Sequence, residues 1–332
     1  MVAIIEGLSF PMHLWIYNHP FRGISDQIGF FSSVFCRYGY TVTVGRRPRR
    51  DALNVVIENF DRESRSILES FCRATGKRVA VIMTEHLDFI AEQLHVHGNP
   101  LWSDNDYMHP VTQVARIRNL IECLPYIRSF FVLGDLPRLQ NLHQVVHGMD
   151  IRWLPFPELC LEDIALRPQN ARHDLLFTGR VTEYRSNLLG LLQGLGLQAI
   201  CPHKTVSHKR RNELNRRAKI VLNLPQRKGW PWLSLMRIIA ALRCGRATIS
   251  LETDDASEIA ACAYQVSLSQ SAWEDRLKDH LVHWRERFEE ALTNYQDMSR
   301  SFAERHPFPH DMLEFWAVTD RLAKPQTTLV YA

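Results

Sequence analysis

The sequence predicts an α/β protein built from two Rossmann-like domains. Short apolar runs alternate with stretches of helical periodicity along the chain, which is the pattern of parallel strands joined by helices. The chain has 332 residues, of which 45% are hydrophobic, and this is enough to bury two cores of ordinary size. A proline-rich passage at 153–158 interrupts the alternation and is typical of a stiff connection between domains. We therefore expect one domain at 1–157, a second at 158–305 and a closing segment at 306–332.

The composition excludes a disordered or fibrous chain and points to an anionic partner. The formal net charge is only +4, but basic residues gather at 46–50, 167–172 and 204–217. Such clusters favour an anionic ligand or surface without saying which.

The cysteines and the apolar runs favour a soluble cytoplasmic protein. Seven cysteines, without CxxC pairs, lie mostly within apolar runs, so we expect reduced thiols in the cores. No run reaches the roughly eighteen apolar residues that a membrane span needs, and the N-terminus lacks a cationic start before an apolar core. Peripheral contact with the inner membrane is left open.

The first domain is predicted from the order of its apolar runs. Strands are expected at 13–17, 41–44, 54–60, 78–84, 129–134 and 151–155, and helices at 26–39, 62–74, 112–123 and 136–146. Pro20 and Gly23 break any regular pattern, so we expect a loop at 18–25. The stretch 87–109 is too weakly patterned to assign.

Polar residues collect at the predicted carboxyl ends of these strands. Because parallel strands end at the same edge of a sheet, we expect them to share one rim. For Asp26, Glu58, Glu85 and His86, an ordinary capping or turn role is the alternative. The residues are Arg22, Gly23, Ser25 and Asp26 after the first strand, Glu58 on the third, and Glu85 and His86 after the fourth.

The weakly patterned stretch contains two candidate metal sites, and neither is favoured. Asp104-Asn-Asp106 fits the DxD pattern that holds a divalent metal on a nucleotide diphosphate, but no hydrophobic strand leads into it. His95 and His97 could form a metal pair, but no further ligand cluster stands beside them. We expect no metal.

The second domain is predicted to open with a strand at 174–177, followed by Thr178, Gly179 and Arg180. A glycine at a strand end lets backbone N–H groups approach a phosphate, and an arginine supplies the planar fork that pairs with it. Further strands are expected at 197–201, 220–224, 247–251 and 264–268, and helices at 183–195, 207–217, from 234 to 245, from 254, 273–302 and 312–322.

The region 217–252 carries the strongest signal for an anion site. Ser234 stands at a helix start, and Arg237 follows within the first turn. Free N–H groups, a hydroxyl and an arginine at a helix N-terminus are the components of a phosphate site. Asn223 and Glu252 end the strands on either side of this helix, at the edge where open α/β sheets bind ligands.

The basic helix at 207–217 raises nucleic-acid binding as an alternative. It contains no aromatic residue for base stacking, and its acids and amides are typical of a solvated face. We expect no nucleic-acid partner, with anionic lipid head groups as a lesser alternative to solvent.

The motif in 217–252 resembles a known family. Asn223, then Ser234-Leu-Met-Arg237, then Ala241-Leu-Arg-Cys-Gly245 and a strand closing on Glu252 resemble the donor half of GT-B glycosyltransferases of the group-1, family 4-like kind. The subgroup it resembles is that of spore-maturation-protein-like enzymes. The resemblance is close over 217–252 and loose elsewhere.

The resemblance implies two Rossmann-like domains facing a cleft, with the closing segment crossing back to the first. The second domain would hold a nucleotide-diphosphate sugar without a metal or other cofactor. Gly179 and Arg180 would approach the diphosphate, Ser234 and Arg237 would grip it, Asn223 would line the loop, and Glu252 would accept from a ribose or sugar hydroxyl.

On the acceptor side, the resemblance places the loop with Arg22, Gly23 and Ser25 at the cleft and gives His86 the acting role at a strand end. Glu85, Asp26 and Glu58 are the other catalytic candidates. The acceptor, a glycan, a lipid or a protein, is not specified by the sequence.

One position departs from the family pattern. Many relatives carry a glutamate where this chain has Ala240, which leaves open whether the anomeric configuration is retained or inverted. The alternative function is therefore a catalytically lapsed GT-B-like protein that binds a nucleotide sugar or an active transferase partner.

Overall fold

The chain forms two compact units. The computed structural model describes residues 10–19, 21–96, 99–100, 110–141, 148, 150–159, 171–202, 204 and 206–323. Unit 1 comprises the described parts of Met1–Phe156 and of Arg305–Ala332, and unit 2 those of Pro157–Glu304. The arrangement of the two units about a cleft stays a prediction.

Unit 1 contains a six-stranded parallel sheet with helices between its strands. The described strands of unit 1, in this sheet and in a second, smaller one, are β1 (Met12–Trp15), β2 (Val42–Gly45), β3 (Leu53–Ile57), β4 (Val79–Ile82), β5 (Leu87–Ile90), β6 (Gln93–Val96), β7 (Asn99–Pro100), β8 (Ile127–Leu133), β9 (Leu139–Gln140) and β10 (Asp150–Leu154). Its first helices are α1 (Phe21–Arg37), α2 (Arg62–Thr75) and α3 (Pro110–Cys123).

The main sheet of unit 1 runs in the order β10-β8-β4-β3-β1-β2, and every pair is parallel. All residues of β1, β3 and β4 are buried. Strands buried on both faces read as continuous apolar runs, which explains why the sequence predicts them within a few residues.

The predicted loop at 18–25 is instead the beginning of a helix, because α1 starts at Phe21. Arg22, Gly23, Ser25 and Asp26 therefore lie in the first turns of α1 and not in a loop. The glycine costs about 1 kcal/mol relative to alanine in a helix. The buried face of α1, which includes Ile24, Ile28, Phe31, Val34 and Phe35, offsets that cost.

A second, small sheet lies where the sequence shows little pattern. Its order is β7-β6-β5-β9, with β5 and β6 forming an antiparallel hairpin. The turn residues Ala91 and Glu92 both have positive φ, 47° and 62°, without the Asn or Gly that usually marks such a turn. The helix predicted at 136–146 is also wrong, since Leu139–Gln140 is the strand β9.

Unit 2 is a five-stranded parallel sheet in the order β12-β11-β13-β14-β15. Its strands are β11 (His173–Leu176), β12 (Ala199–Ile200), β13 (Ala218–Asn223), β14 (Thr248–Leu251) and β15 (Ala263–Val266). Its helices are α4 (Glu183–Gly194), α5 (His208–Arg217), α6 (Leu235–Arg243), α7 (Trp273–Val282) and α8 (Trp284–Arg305). The helix predicted from 254 is a short 3-10 turn at Glu258–Cys262.

The last described helix, α9 (His310–Leu322), belongs to unit 1. Arg128 on β8 pairs with Asp320 of α9, Nη2 to Oδ1 at 2.5 Å, and its guanidinium stands over the Trp316 ring. Tyr40 bonds His310 at 3.0 Å, from the phenol oxygen to Nδ1. These contacts fix α9 against the sheet of unit 1.

The six cysteines in the described part of the chain are free thiols, but not all of them lie in a core. Four of these are buried, Cys201 is half-buried and Cys36 is exposed on α1, so the expectation of core thiols is wrong for Cys36. Across the described part of the chain, no helix combines the length and the apolar character that crossing a membrane requires.

Candidate functional site

The strand order of unit 2 has its switch point between β11 and β13, which is where open α/β sheets commonly bind ligands. In a parallel sheet of order 2-1-3-4-5, the connections after strands 1 and 3 leave toward opposite faces and open a crevice at the carboxyl edge. Here the loops after those strands are 177–182 and 224–234. Gly179, Arg180, Asn223 and Ser234, all predicted from the sequence to meet the donor, lie on these loops or beside them.

Arg237 is fixed beside this crevice by a chain of hydrogen bonds. Its Nη1 donates to Oδ1 of Asn223 at 2.7 Å, and Nδ2 of Asn223 donates to Oγ of Ser250 at 2.7 Å. The Ser250 hydroxyl accepts from Oγ1 of Thr253 at 2.7 Å and donates to the Asn223 carbonyl at 3.2 Å. Asn223, Ser250 and Thr253 are buried, so water does not compete for these bonds and the guanidinium keeps one orientation.

Gly179 lies against the same guanidinium. A Cβ placed on Gly179 would stand 2.8 Å from Nη2 of Arg237 and 2.5 Å from Cζ of the buried Phe177 ring. The Arg237 guanidinium in turn stands over that ring, 5.0 Å from its centroid. The close approach explains why this position holds a glycine, and it brings the two halves of the predicted site together.

Arg185 is a member of this site that the sequence analysis missed. It is only 6% exposed, and its Nε and Nη2 both donate to the Leu224 carbonyl, at 2.9 and 2.7 Å. Its Nη1 donates to the Arg180 carbonyl at 2.8 Å, and its guanidinium stands 5.1 Å from the Phe177 centroid. The available signal was an arginine five residues after Arg180, between the apolar positions of α4.

The start of α6 is set by the loop before it. Ser234 occupies the N-cap position, but its side chain makes no capping bond, and it has no hydrogen bond to any described residue. The Leu233 N–H donates to Oδ2 of the buried Asp255 at 2.7 Å, and the Asp254 N–H donates to the Pro231 carbonyl at 3.3 Å. The start of α6 is thus anchored through the backbone N–H groups of Leu233 and Asp254, and the Ser234 hydroxyl takes no part in it.

Two further arginines line the loops around the crevice. Arg180 is exposed, and among the described residues its guanidinium has no ion-pair or hydrogen-bond partner. Arg227 stands over the Trp230 ring, 5.3 Å from its centroid, and burial lowers the pKa of this arginine. Together with Arg237 and the N-terminus of α6, they give the crevice a positive potential.

Glu252 has a structural role with one carboxylate oxygen and leaves the other open. It ends β14 in the left-handed region, with φ 58°. Its Oε1 accepts from the Leu268 N–H at 2.5 Å and from the Ser267 hydroxyl at 3.2 Å. Oε2 has no partner among the described residues. Burial and, to a smaller extent, the negative charge of Glu252 raise the pKa of the Tyr184 phenol.

Unit 1 carries a buried cluster where β3 and β4 end. Arg116 of α3 pairs with Glu58, Nη2 to Oε2 at 2.6 Å, and with Glu85, Nη2 to Oε1 at 3.0 Å. Thr84 donates its hydroxyl to Oε2 of Glu58 at 2.9 Å, and His19 contacts the Glu58 carbonyl at 3.2 Å. The structure thus brings Glu58 and Glu85 together as partners of one arginine.

Electrostatics in this cluster follow from burial. Burial raises the pKa of Glu58, against the opposing effect of Arg116 and with a further rise from Glu85. Burial alone would lower the pKa of Arg116, but the charges of Glu58 and Glu85 outweigh it and raise that pKa. The sequence analysis did not predict a role for Arg116. It shares a helix face with the buried Gln113 and Leu120, and a cation on a buried face could have marked it as a residue with a buried partner.

His86 follows Glu85 in the sequence and is buried. Its Nδ1 accepts from the Arg138 N–H at 3.1 Å, which assigns the proton to Nε2. Asp26 and Ser25 are half-buried and Gly23 is exposed on α1, while the side chain of Arg22 lies outside the description.

The structure describes only part of the two metal alternatives. Asp104, Asp106 and His97 lie outside the described residues, and His95 is half-buried on β6. Within the described ranges, no group of three or more His, Cys, Asp or Glu side chains is arranged to hold a metal ion.

The resemblance to GT-B glycosyltransferases recurs in the comparison with solved structures. The chain is similar to sucrose-phosphate synthase from Thermosynechococcus elongatus, with 9% identity, a TM-score of 0.46, and 94% of this chain and 98% of that chain covered. A UDP-forming α,α-trehalose-phosphate synthase from Burkholderia xenovorans has 7% identity and a TM-score of 0.45, over 82% and 75% of the two chains.

TarM has 10% identity and a TM-score of 0.40, and the match covers 82% of this chain and 55% of that one. No protein-family model and no curated protein matches the chain.

Proposed function

We propose that this protein is a glycosyltransferase that takes a sugar from a nucleotide-diphosphate sugar held by unit 2. The observation that carries the proposal is the Arg237 guanidinium, locked by Asn223 and lying against Gly179 at the crevice between β11 and β13. An oriented guanidinium beside a glycine that lets the backbone approach, next to a helix N-terminus, matches the demands of a diphosphate.

The same groups explain how the chain would speed transfer. As the glycosyl bond breaks, the leaving diphosphate gains negative charge, and fixed positive groups stabilise that charge most in the transition state. Arg237, the exposed Arg180 and the N-terminus of α6 supply it. Because these charges neutralise the leaving group, we propose a metal-independent reaction, and activity should persist in excess EDTA.

The hydrogen bonds refine the roles within the donor site. The side-chain amide of Asn223 is already hydrogen-bonded to Arg237 and Ser250. We therefore assign Asn223 to orienting Arg237 and not to direct contact with the sugar nucleotide. Ser234 offers its hydroxyl to the diphosphate. Glu252 offers Oε2 to a ribose or sugar hydroxyl while Oε1 holds the loop after β15.

Unit 1 is proposed to take the acceptor, which is a glycan, a lipid or a protein. His86 presents Nε2–H because its Nδ1 accepts from the backbone, so it can donate to an acceptor oxygen. Glu85 is the more exposed of the two carboxylates that share Arg116, at 21% against 4% for Glu58. Glu85 is therefore the better placed of the two to accept a hydroxyl proton.

The test is calorimetric binding of UDP, GDP, ADP, CDP and TDP to the wild type, Arg237→Ala and Lys219→Ala. A charge-assisted hydrogen bond contributes about 1.5–3 kcal/mol, so Arg237→Ala should weaken the preferred diphosphate about 10- to 150-fold. Lys219 is the matched control. It lies on β13, about 13 Å along the strand from Asn223, and pairs with Asp174 at 2.8 Å. Failure of the wild type to bind any of the five, or equal losses in both variants, would contradict the proposal.

A second candidate is binding without turnover, and Ala240 is the observation that favours it. This residue is buried in α6 and puts a methyl group where the resembling enzymes carry a carboxylate. Release of free nucleoside diphosphate from UDP-, GDP- and ADP-sugars separates the two. Turnover that Arg237→Ala abolishes supports the transferase, while tight binding with no release from any sugar nucleotide supports the binding protein.

A further inference from the structure

We infer that Arg185 and Thr182 are positioning residues of the donor site, which fix the separation of the two loops that meet the diphosphate. The inference rests on the proposed function. Its basis is that both side chains join loop 177–182 to loop 224–234, the two loops that border the crevice of unit 2.

Arg185 makes the larger of the two links. Its guanidinium bonds the carbonyl of Arg180 on one loop and, with two N–H groups, the carbonyl of Leu224 on the other, at 2.7–2.9 Å. A planar guanidinium has its donors at fixed angles, so it sets the distance and the angle between the carbonyls that it joins.

Thr182 makes a second link from the N-cap of α4. Its hydroxyl donates to the Gln226 carbonyl at 2.7 Å and accepts from the Arg185 N–H at 3.3 Å. The start of α4 therefore holds the two loops at adjacent points, and the two links support each other.

These links determine where the diphosphate-binding groups stand. Arg180 is itself bonded through its carbonyl and is preceded by Gly179, while Leu224 follows Asn223, the residue that orients Arg237. The spacing between the Arg180 and Arg237 side chains thus depends on the link between the two loops. Because Arg185 is buried and directs three N–H groups at backbone carbonyls, it acts through the loops and is not a catalytic residue.

The experiment compares binding of UDP, GDP and ADP to the full chain in the wild type, Arg185→Lys, Arg185→Gln and Thr182→Val. Asn187→Ala, an exposed residue of the same helix, is the control. Lysine keeps the positive charge but cannot join both carbonyls in the same geometry. Both Arg185 variants should therefore lose roughly tenfold or more in affinity for the preferred nucleotide, and Thr182→Val should lose less.

Hydrogen–deuterium exchange supplies a readout that a merely structural role would not give. Exchange should rise in 178–182 and 224–234 and stay unchanged in the strands of unit 2. Recovery of affinity in Arg185→Lys would overturn the inference, because charge would then be the cause. Unchanged affinity in Thr182→Val and both Arg185 variants, or faster exchange throughout unit 2, would also overturn it. A wild type that binds none of the three nucleotides would instead refute the proposed function, and the inference with it.

Discussion

Replacing Gly179 with alanine is the sharpest test of the donor site, because a single methyl group meets both halves of it. The new Cβ would lie 2.5 Å from Cζ of Phe177 and 2.8 Å from Nη2 of Arg237. Phe177 is fully buried and cannot yield easily, so the guanidinium must move and strain its 2.7 Å bond to Asn223. Gly179 is not among the glycines with positive φ, so the effect is steric and not conformational.

Two magnitudes follow from this geometry. Overpacking of this kind costs about 1–3 kcal/mol of folding free energy. Displacement of Arg237 removes a charged hydrogen bond to the diphosphate, about 1.5–3 kcal/mol or roughly 10- to 150-fold in nucleotide affinity. Stability is measured by urea denaturation and affinity by calorimetry with the nucleoside diphosphate that the wild type prefers.

Gly190→Ala is the matched control. Gly190 lies in α4, is exposed, and a Cβ there would meet nothing within 4 Å. This change should stabilise the helix by about 0.5–1 kcal/mol and leave nucleotide affinity unchanged. If Gly179→Ala kept wild-type affinity, or if the two variants behaved alike, Arg237 would not be the diphosphate ligand that the geometry indicates.

Two further predictions concern unit 1. Arg116→Gln leaves Glu58 and Glu85 without their shared cation, so unfolding free energy at pH 7 should fall by about 3–5 kcal/mol, whereas Arg118→Gln, 78% exposed on the same helix, should change it by less than about 0.5 kcal/mol. The loss in Arg116→Gln should shrink as pH falls, because Arg116 lowers the pKa of Glu58 against burial, so without it the folded state takes up the Glu58 proton at a higher pH than in the wild type. Burial lowers the pKa of His19 below 6.5, so below that pH the unfolded chain binds more protons and stability falls. His19→Gln should lose less stability than the wild type between pH 7 and pH 5 in urea denaturation, and equal losses would contradict the assignment.

The parallel sheets could be predicted from the sequence because their signal is local. Strands such as β3 and β13 are buried along nearly their whole length, so each appears as an apolar run that needs no knowledge of its neighbours. The signal for the predicted anion site is also partly local. Ser234 and Arg237 belong to one helix start, and a helix start can be recognised from its own residues.

The small sheet and the start of α1 could not be predicted, because their signals conflict with local rules. The turn at Ala91 and Glu92 adopts positive φ without a glycine or asparagine, so the surrounding sheet, and not the turn residues, determines the hairpin. Gly23 suggested a loop, but it lies in α1, where burial of the apolar face outweighs the cost of a helical glycine.

The two missed arginines show a different limit, which is sequence separation. Arg116 finds its carboxylate 58 residues earlier in the chain, and Arg185 finds the Leu224 carbonyl 39 residues later. A helical arginine is most often solvated, and only the partner brought to it by the fold makes its burial favourable. The sequence can mark such a residue as standing on an apolar helix face, but it cannot name the partner.

The two units share a strand order, yet the equivalent edges of their sheets carry different charges, and this difference separates the proposed donor and acceptor sides. At the crevice of unit 2, the described groups include the guanidinium of Arg237 and the exposed Arg180. In unit 1, one guanidinium is shared by two carboxyl groups, those of Glu58 and Glu85. Two arginines attract a diphosphate more strongly than one arginine that is already shared by two carboxyl groups, whereas an acceptor hydroxyl can donate to a carboxylate. On the proposed function, this difference in charge favours the nucleotide in unit 2 and a hydroxyl-bearing acceptor in unit 1.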